Sequence, residues 1–181
     1  MNITLALVLI IVVVAGFLIA VSRQPANFRV TRSAIMDAPT PVVFAQVNDF
    51  HAWASWSPWA EMDPNAKNEF AGAPSGQGAV FKWSGNRQVG EGQMTLIESH
   101  ASDVIRIKLE FFKPFVATNT AEFNFKSQGE QTLVTWSMYG PNTFMGKVMN
   151  VFINCDKMIG GQFEKGLAKM KSVVETKPAQ H

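Results

Sequence analysis

The sequence predicts an α+β fold: one transmembrane helix, then a curved antiparallel sheet of about seven strands, with two short helices after strand 1 and a long carboxyl-terminal helix across the concave face. Three observations carry this prediction. Apolar and polar residues alternate with a period of two from Lys67 to Tyr139, apolar residues recur three and four apart from Val148 to Val174, and Ile3 to Val21 contains no charged residue.

The uncharged segment is the first element, and as a helix rising about 1.5 Å per residue it spans roughly 30 Å of hydrocarbon. We interpret residues 1–22 as a membrane anchor. A cleaved signal peptide is the alternative, because Ala20-Val21-Ser22 has the small residues of a cleavage site; however, the segment is longer than a usual signal core, and no Lys or Arg precedes it. Arg23, Arg29 and Arg32 all follow it, which favours a single-pass protein of the cell membrane with a cytoplasmic carboxyl-terminal domain.

The rest of the chain divides into a linker at residues 23–27, one domain at residues 28–175 and a disordered tail at residues 176–181. The formal net charge of +2 comes from scattered charges without a basic run, which argues against nucleic acid as a partner. The single cysteine, Cys155, excludes an intramolecular disulfide and a Cys-rich metal site.

The first strand begins at Phe28 and ends near Met36, where Asp37-Ala-Pro-Thr-Pro41 breaks it. A helix then starts near Pro41, and either Asp37 or Thr40 caps it. The second short helix carries three of the five tryptophans, which stand three residues apart at Trp53, Trp56 and Trp59. This spacing puts the indoles on roughly one side of the helix, where they either plug the core or form the lid of a pocket.

The alternating segment is interrupted by turn residues at intervals, which predicts a meander of antiparallel strands. Along each strand, every second residue is apolar or small, and the residues between them include Lys, Arg, Glu and Thr. This pattern is expected for a sheet with one face in water. Gly90 and Gly92 lie on the inward parity and predict a bend or a place where the backbone leaves room.

The closing helix begins after Gly140-Pro141, capped by Asn142 or Thr143. Its inward stripe consists of Val148, Phe152, Ile159, Phe163, Leu167, Met170 and Val174. We predict a kink at Gly160-Gly161, because glycine is unfavourable inside a helix.

The order of these elements resembles the helix-grip fold of the START-like superfamily, also called the SRPBCC or Bet v 1-like superfamily. More specific motifs, which together resemble bacterial SRPBCC proteins of the "polyketide cyclase/dehydrase" type, are Trp53-x-x-Trp-Ser-Pro-Trp59, Gly76-x-Gly-Ala79, Trp83-Ser-Gly-Asn86, Val89-Gly-x-Gly-x-Met94, Pro114-Phe115, Val134-Thr-Trp-x-Met138 and Asp156-Lys-Met-x-Gly-x-x-Phe-Glu-x-Gly-Leu167. The superfamily contains lipid carriers, hormone-binding proteins, aromatic cyclases and oxygenase domains, so the resemblance implies a fold more than an activity.

The resemblance implies an apolar cavity between the concave sheet and the long helix. Inward-facing aromatic residues and methionines suit such a cavity, although the same residues also suit a filled core. The candidate residues for the pocket lining or mouth are Trp53, Trp56, Trp59, Phe81, Trp83, Met94, Phe111, Asn119, Phe123, Trp136, Met138, Phe152, Asp156 and Phe163.

Two polar residues stand out among these candidates. Asn119 has the inward parity and either orients a ligand oxygen or satisfies a backbone group near Pro114. Asp156 either projects inward one turn after Phe152 or caps a restart of the helix, and we favour the cap.

Markers of catalysis are scarce. The three histidines have no metal-ligand spacing. His51 and Asp49, two residues apart on the expected helix, should point in different directions. We therefore predict a membrane-tethered domain that binds a hydrophobic small molecule or lipid, without cofactor or metal. The alternatives are a polyketide cyclase or dehydrase using Asn119, Asp156 or Tyr139, and an interaction module with an exposed Trp face.

Overall fold

The structure is a computed structural model and describes residues 2–152 and 154–176. Its elements, in chain order, are α1 (Ile3–Ser22), β1 (Asn27–Met36), α2 (Thr40–Asn48), a 3₁₀ helix (Ala52–Ser55), α3 (Pro58–Met62), β2 (Lys67–Gly72), β3 (Ala79–Ser84), β4 (Glu91–His100), β5 (Val104–Lys113), β6 (Ala117–Gln128), β7 (Gln131–Pro141), α4 (Phe144–Phe152) and α5 (Cys155–Glu175). The predicted order of a strand, short helices, a six-stranded meander and a closing helix is confirmed.

The seven strands form one sheet in the order β1-β7-β6-β5-β4-β3-β2, and all neighbours are antiparallel. Strands β2 to β7 follow one another as a meander, because each is joined to the next by a connection of six residues or fewer. The first strand pairs with the last one, with Asn27 opposite Pro141 and Met36 opposite Thr132. The start of β1, the end of β7 and the β5–β6 turn therefore lie at the same end of the sheet, which we call the α1 end.

Alternation along the strands separates a concave apolar face from a convex polar face. On β7, the side chains of Val134, Trp136 and Met138 are buried on the concave side. On the convex side, Thr31 hydrogen-bonds Ser137 at 2.9 Å between hydroxyl oxygens, and other cross-strand pairs follow the same pattern. The two faces predicted from the period of two are present.

The start of α2 differs from the prediction, because neither Asp37 nor Thr40 caps it. The N-cap position is Pro39, and the Thr40 hydroxyl instead lies 3.1 Å from the hydroxyl of Thr132 on β7. The Asp37 carboxylate accepts a hydrogen bond from the side chain of Gln131. Both side chains attach the β1–α2 connection to β7.

The closing helix is in two parts, α4 and α5, so the predicted single helix is wrong. Thr143 caps α4, since its hydroxyl accepts a hydrogen bond from the Gly146 amide at 3.2 Å. A new N-terminus follows at Asn154, whose side chain accepts from the Lys157 amide at 2.9 Å. Helix α5 then continues through Gly160 and Gly161 without a break, and a bend of its axis at this pair stays a prediction.

Helix α1 is long and apolar enough to cross a membrane and lies at the amino terminus. It contacts α4, where the rings of Phe17 and Phe152 stack with centroids 5.9 Å apart. Only four residues, 23–26, join α1 to β1.

Candidate ligand-binding site

The Trp triplet lies in the core, between the sheet and α5. Trp53 and Trp56 are buried, and their indole N–H groups donate to the carbonyl oxygens of Val47 at 3.1 Å and Gln46 at 3.0 Å. Trp59 is half-buried and packs edge-on against Trp136, with ring centroids 5.7 Å apart. The triplet therefore helps to close the concave face, and Trp59 alone among the three reaches its margin.

Trp136 is the centre of this aromatic packing. Its ring stacks on Phe163 of α5 at 4.1 Å and 9°, and on Phe123 of β6 at 4.8 Å. Trp136 Nε1 is buried and makes no hydrogen bond with any described residue. We call the region around Trp56, Phe123, Trp136 and Phe163 the closed half of the concave face, because α5 covers it.

Arg32 connects β1 to α5 across the closed half, and the sequence reasoning missed it. Its guanidinium lies 3.1 Å from a carboxylate oxygen of Asp156 and 2.6 Å from one of Glu164, and these hydrogen bonds raise the pKa of Arg32 above its ordinary value. A side chain at Gly160 would overlap the guanidinium. The signal that could have found Arg32 is its position, because it has the same parity along the strand as the inward-facing residues Phe28, Val30, Ala34 and Met36.

Asp156 does not cap the helix, contrary to our favoured interpretation. It lies in the first turn of α5, where Asn154 already holds the cap position. Its side chain is mostly exposed and faces Arg32. Cys155 precedes it, and burial raises the pKa of the Cys155 thiol above its ordinary value.

The concave face continues towards the α1 end, where α5 has not yet begun. Here five apolar side chains from three strands, β1, β3 and β5, are half-buried, and we call this region the open half. Its residues are Phe28, Phe81, Trp83, Leu109 and Phe111. Met94, Met138 and Asn119 lie beside them and are buried.

Close packing of backbone and rings shapes the open half. Gly92 lies opposite Trp83 on the neighbouring strand, and a side chain at Gly92 would overlap the Trp83 indole. The predicted need for space at Gly92 is therefore confirmed. Asn119 packs against Gly140, and its side chain makes no hydrogen bond among the residues described. The expected bond from Asn119 to backbone near Pro114 is not formed.

Phe152 lies apart from the other candidates. The break before Asn154 carries it away from the sheet, so it stands on α4, exposed and stacked on Phe17. The prediction that it belongs to the inward stripe was wrong, because that stripe assumed one continuous helix. The other candidates all lie on the concave side, with Asp156 at its margin.

Two depressions of the surface stand out among the described residues, and both are open to solvent. One, of about 130 Å³, lies beside Phe50, His51 and Phe70. The other, of about 720 Å³, is open and lies mainly on the convex side at the α1 end, near Arg29, Lys108 and Tyr139.

The three residues considered for catalysis do not converge. Asn119 is on the concave face, Tyr139 is on the convex face, where its hydroxyl lies 3.3 Å from Glu122, and Asp156 is held by Arg32. His51 does contact Asp49, with 2.8 Å between Nδ1 and Oδ1, because Asp49 ends α2 in an extended conformation rather than continuing a helix. That pair is exposed, and the described residues include no cluster of His, Cys, Asp and Glu that would hold a metal ion.

A network of charges lies on the convex face, behind the boundary between the closed and the open half, since Glu122 stands between the strand positions of Phe123 and Ala121. Glu122 of β6 accepts hydrogen bonds from Arg29 at 3.2 Å and Arg106 at 2.7 Å, and Arg29 also lies over the ring of Tyr139. Burial raises the pKa of the Glu122 carboxyl, but hydrogen bonds from Arg106, Asn124 and Tyr139 lower it, and the net pKa lies below its ordinary value. Side chains from four paired strands, β1, β5, β6 and β7, therefore meet at Glu122.

Solved structures with this fold include proteins of different kinds. A START superfamily protein from Mycobacterium smegmatis is 16% identical with a TM-score of 0.59, covering 81% of this chain and 97% of its own. Ginseng major latex-like protein 151 from Panax ginseng is 10% identical with a TM-score of 0.57, covering 83% and 99%. The di-domain ARO/CYC BexL from the BE-7585A biosynthetic pathway is 16% identical with a TM-score of 0.60, covering 89% of this chain and 54% of its own.

These similarities show the fold alone, and no curated protein sequence matches the chain. The family is shown by the sequence itself. Residues 27–175, which include both halves of the concave face, match the family described as "Polyketide cyclase / dehydrase and lipid transport". The chain belongs to this family.

Proposed function

We propose that this protein is tethered to a membrane by α1 and binds a hydrophobic small molecule or a lipid against the open half of its concave face. The observation that carries the proposal is the set of half-buried apolar side chains on β1, β3 and β5 that α5 leaves uncovered. Such a surface is costly in water, at about 25 cal/mol for each Å² of apolar area, and a bound apolar molecule would remove that cost.

The chemistry of the open half favours an uncharged or mainly apolar ligand portion. Aromatic rings and methionines line it, and methionine adapts to ligands of different shape. Asn119 supplies an amide that is free to hydrogen-bond a ligand oxygen, because the described residues leave its side chain without a partner. The charged side chains next to the open half, those of Arg29, Lys108 and Glu110, lie on the convex face.

The closed half does not serve as the binding space in this arrangement. Trp53, Trp56, Trp136 and Phe163 fill it with rings at contact distance. The burial of Trp53 and Trp56 also removes the exposed Trp face on which a protein-interaction role depended. A ligand entering the open half would meet these rings as the floor of its site.

Photolabelling of the full-length protein in lipid nanodiscs tests the proposal. The probe is a fatty acid with a diazirine on its acyl chain, and labelled positions are mapped by peptide mass spectrometry. We expect adducts on the concave residues of β3 to β6. Phe111→Ser should reduce this labelling about tenfold, the effect of ~1.4 kcal/mol in binding.

Ile97→Ser is the matched control, because Ile97 is an exposed apolar residue on the neighbouring strand β4 outside the open half. It should leave labelling unchanged. Labelling confined to α1, or equal losses in the two variants, would overturn binding at the open half.

A further inference from the structure

Helix α4 turns its apolar side outwards. On a helical wheel, Phe144, Met145, Val148, Val151 and Phe152 share one side, and Gly146, Lys147 and Asn150 share the other. The apolar side is the more exposed one, at 64% for Phe144 and 72% for Phe152, whereas the three residues of the polar side are half-buried. A helix in a water-soluble domain has the opposite arrangement.

The position of α4 along α1 explains this orientation. Phe152 stacks on Phe17, which lies five residues before the end of α1 at Ser22 and therefore about 7 Å back along its axis. If α1 crosses a bilayer, this contact lies level with the outer part of the hydrocarbon. The carboxyl-terminal end of α4 must then be in the membrane interface as well.

A second group of exposed apolar residues lies at the same end of the sheet. The turn between β5 and β6 and its flanks expose Phe112, Phe115 and Val116, at 47%, 54% and 78%. Strand register places this turn at the α1 end, since Ala117 pairs with Phe111 and β1 starts at this end opposite Pro141. Two separate segments therefore expose large apolar side chains where the chain leaves α1.

We propose that α4 and the β5–β6 turn form a membrane-contacting surface that lies in the headgroup and upper acyl region of the bilayer entered by α1. The inference rests on the proposed tether. A bilayer is the favoured occupant because the apolar surface continues directly from α1 through the contact between Phe17 and Phe152. Lys147 on the opposite side of α4 and Arg23 after α1 suit lipid phosphates.

This surface gives the proposed ligand a route. The break between α4 and α5 leaves the open half uncovered at the α1 end, so its apolar residues lie between α5 and the lipid-facing segments. A lipid tail would reach Phe28 and Phe111 from the interface without crossing bulk water.

Depth-dependent fluorescence quenching tests the surface in the full-length protein. The variants Met145→Cys and Val116→Cys are made on a Cys155→Ser background, so that each has a single cysteine, which carries a bimane label. They are placed in vesicles of phosphatidylcholine and phosphatidylglycerol whose acyl chains are brominated, and the bromine atoms quench the label. Leu18→Cys reports on α1, and Gln128→Cys, exposed at the opposite end of the sheet, is the control. We expect quenching at least about threefold stronger at 145 and 116 than at 128, approaching that at 18.

Each pattern of quenching has a defined meaning. Quenching at 18 without quenching at 145 and 116 overturns the membrane-contacting surface and leaves the tether standing. Quenching at 145 and 116 without quenching at 18 supports the surface and overturns the tether. The third pattern is measured with one protein copy per vesicle or disc. If the labels at 145 and 116 are then shielded from water but not quenched, the protein itself covers them, and the proposal is overturned.

Discussion

The two halves of the concave face belong to one sheet but are held in different ways. In the closed half, α5 covers the strands and the rings of Trp56, Phe123, Trp136 and Phe163 fill the space between them. In the open half, apolar side chains remain half-buried. On the convex face, Glu122 and its arginine partners link the strands behind the boundary between the two halves. Two parts of the same surface are thus packed to different degrees.

This difference explains how an uncovered apolar surface stays ordered. Hydrophobic burial is the main stabilising contribution in most domains, and the closed half supplies it here. Ion pairs on the convex face connect β1, β5, β6 and β7 without using the concave side. The open half is therefore free to exchange a ligand without first being unpacked.

The largest expected effect comes from removing a ring of the closed half. Trp56→Ala should lower the free energy of unfolding by about 3–5 kcal/mol, because it removes a fully buried indole and its hydrogen bond to Gln46. Phe111→Ala should lower it by about 1 kcal/mol, because Phe111 is already half exposed. Urea unfolding of the full-length protein in detergent micelles, followed by far-ultraviolet circular dichroism, measures both. Equal losses would abolish the distinction between the two halves.

A smaller and pH-dependent effect is expected for Glu122→Gln. The folded-state pKa of Glu122 lies below its ordinary value of 4.5, so its ionised carboxylate stabilises the fold above that pH, and the contribution is lost as pH falls through the lower folded-state pKa. The substitution should lower the free energy of unfolding by about 1–3 kcal/mol at neutral pH and by much less near pH 3.

Hydrogen exchange locates the effect of Glu122→Gln, which should be greatest in β1, β6 and β7 at the α1 end. Glu69→Gln is the control, because Glu69 forms an exposed pair with Lys82 and should have little effect at any pH. A loss that is independent of pH would show that the stabilisation by Glu122 does not come from its carboxylate charge.

The smallest effect separates two adjacent glycines of α5. Gly161→Ala should stabilise the protein by about 0.5–1 kcal/mol, because alanine favours a helix and no described atom lies within 4 Å of the new methyl group. Gly160→Ala should instead destabilise it by about 1 kcal/mol, because the methyl group displaces Arg32 from Asp156. Thermal unfolding of the two variants side by side measures the difference, and stabilisation by both would show that the Arg32 contact is dispensable.

The sheet was predictable because its information is local. A period of two, interrupted by turn residues, gave the strands of the meander, and the inward parity placed Phe123, Trp136 and Met138 on the buried face. The pairing of β1 with β7 was not predicted, because it joins two segments far apart in the chain and has no local signal.

The residues whose positions were predicted wrongly are placed by contacts between segments that are far apart in the chain. The break at Asn154 is marked by a capping side chain, and residues of that kind occur elsewhere in the sequence as well. When the break is missed, Phe152 is assigned to the inward side of one continuous helix. Gly160 suggested a kink because its partner, Arg32, is far away in the chain. The contact of His51 with Asp49 depended on where α2 ends. The ligand-binding role of the candidate residues stays a prediction.

The four residues between α1 and β1 set a limit on what a tethered domain of this kind does. Fully extended, they reach about 14 Å, which is less than half the thickness of a bilayer with its headgroups. If α1 anchors the protein and the open half binds a lipid, as we propose, the domain would take up or present that lipid at the leaflet in which it is anchored. Onward transfer to another membrane would then require a partner that comes to it.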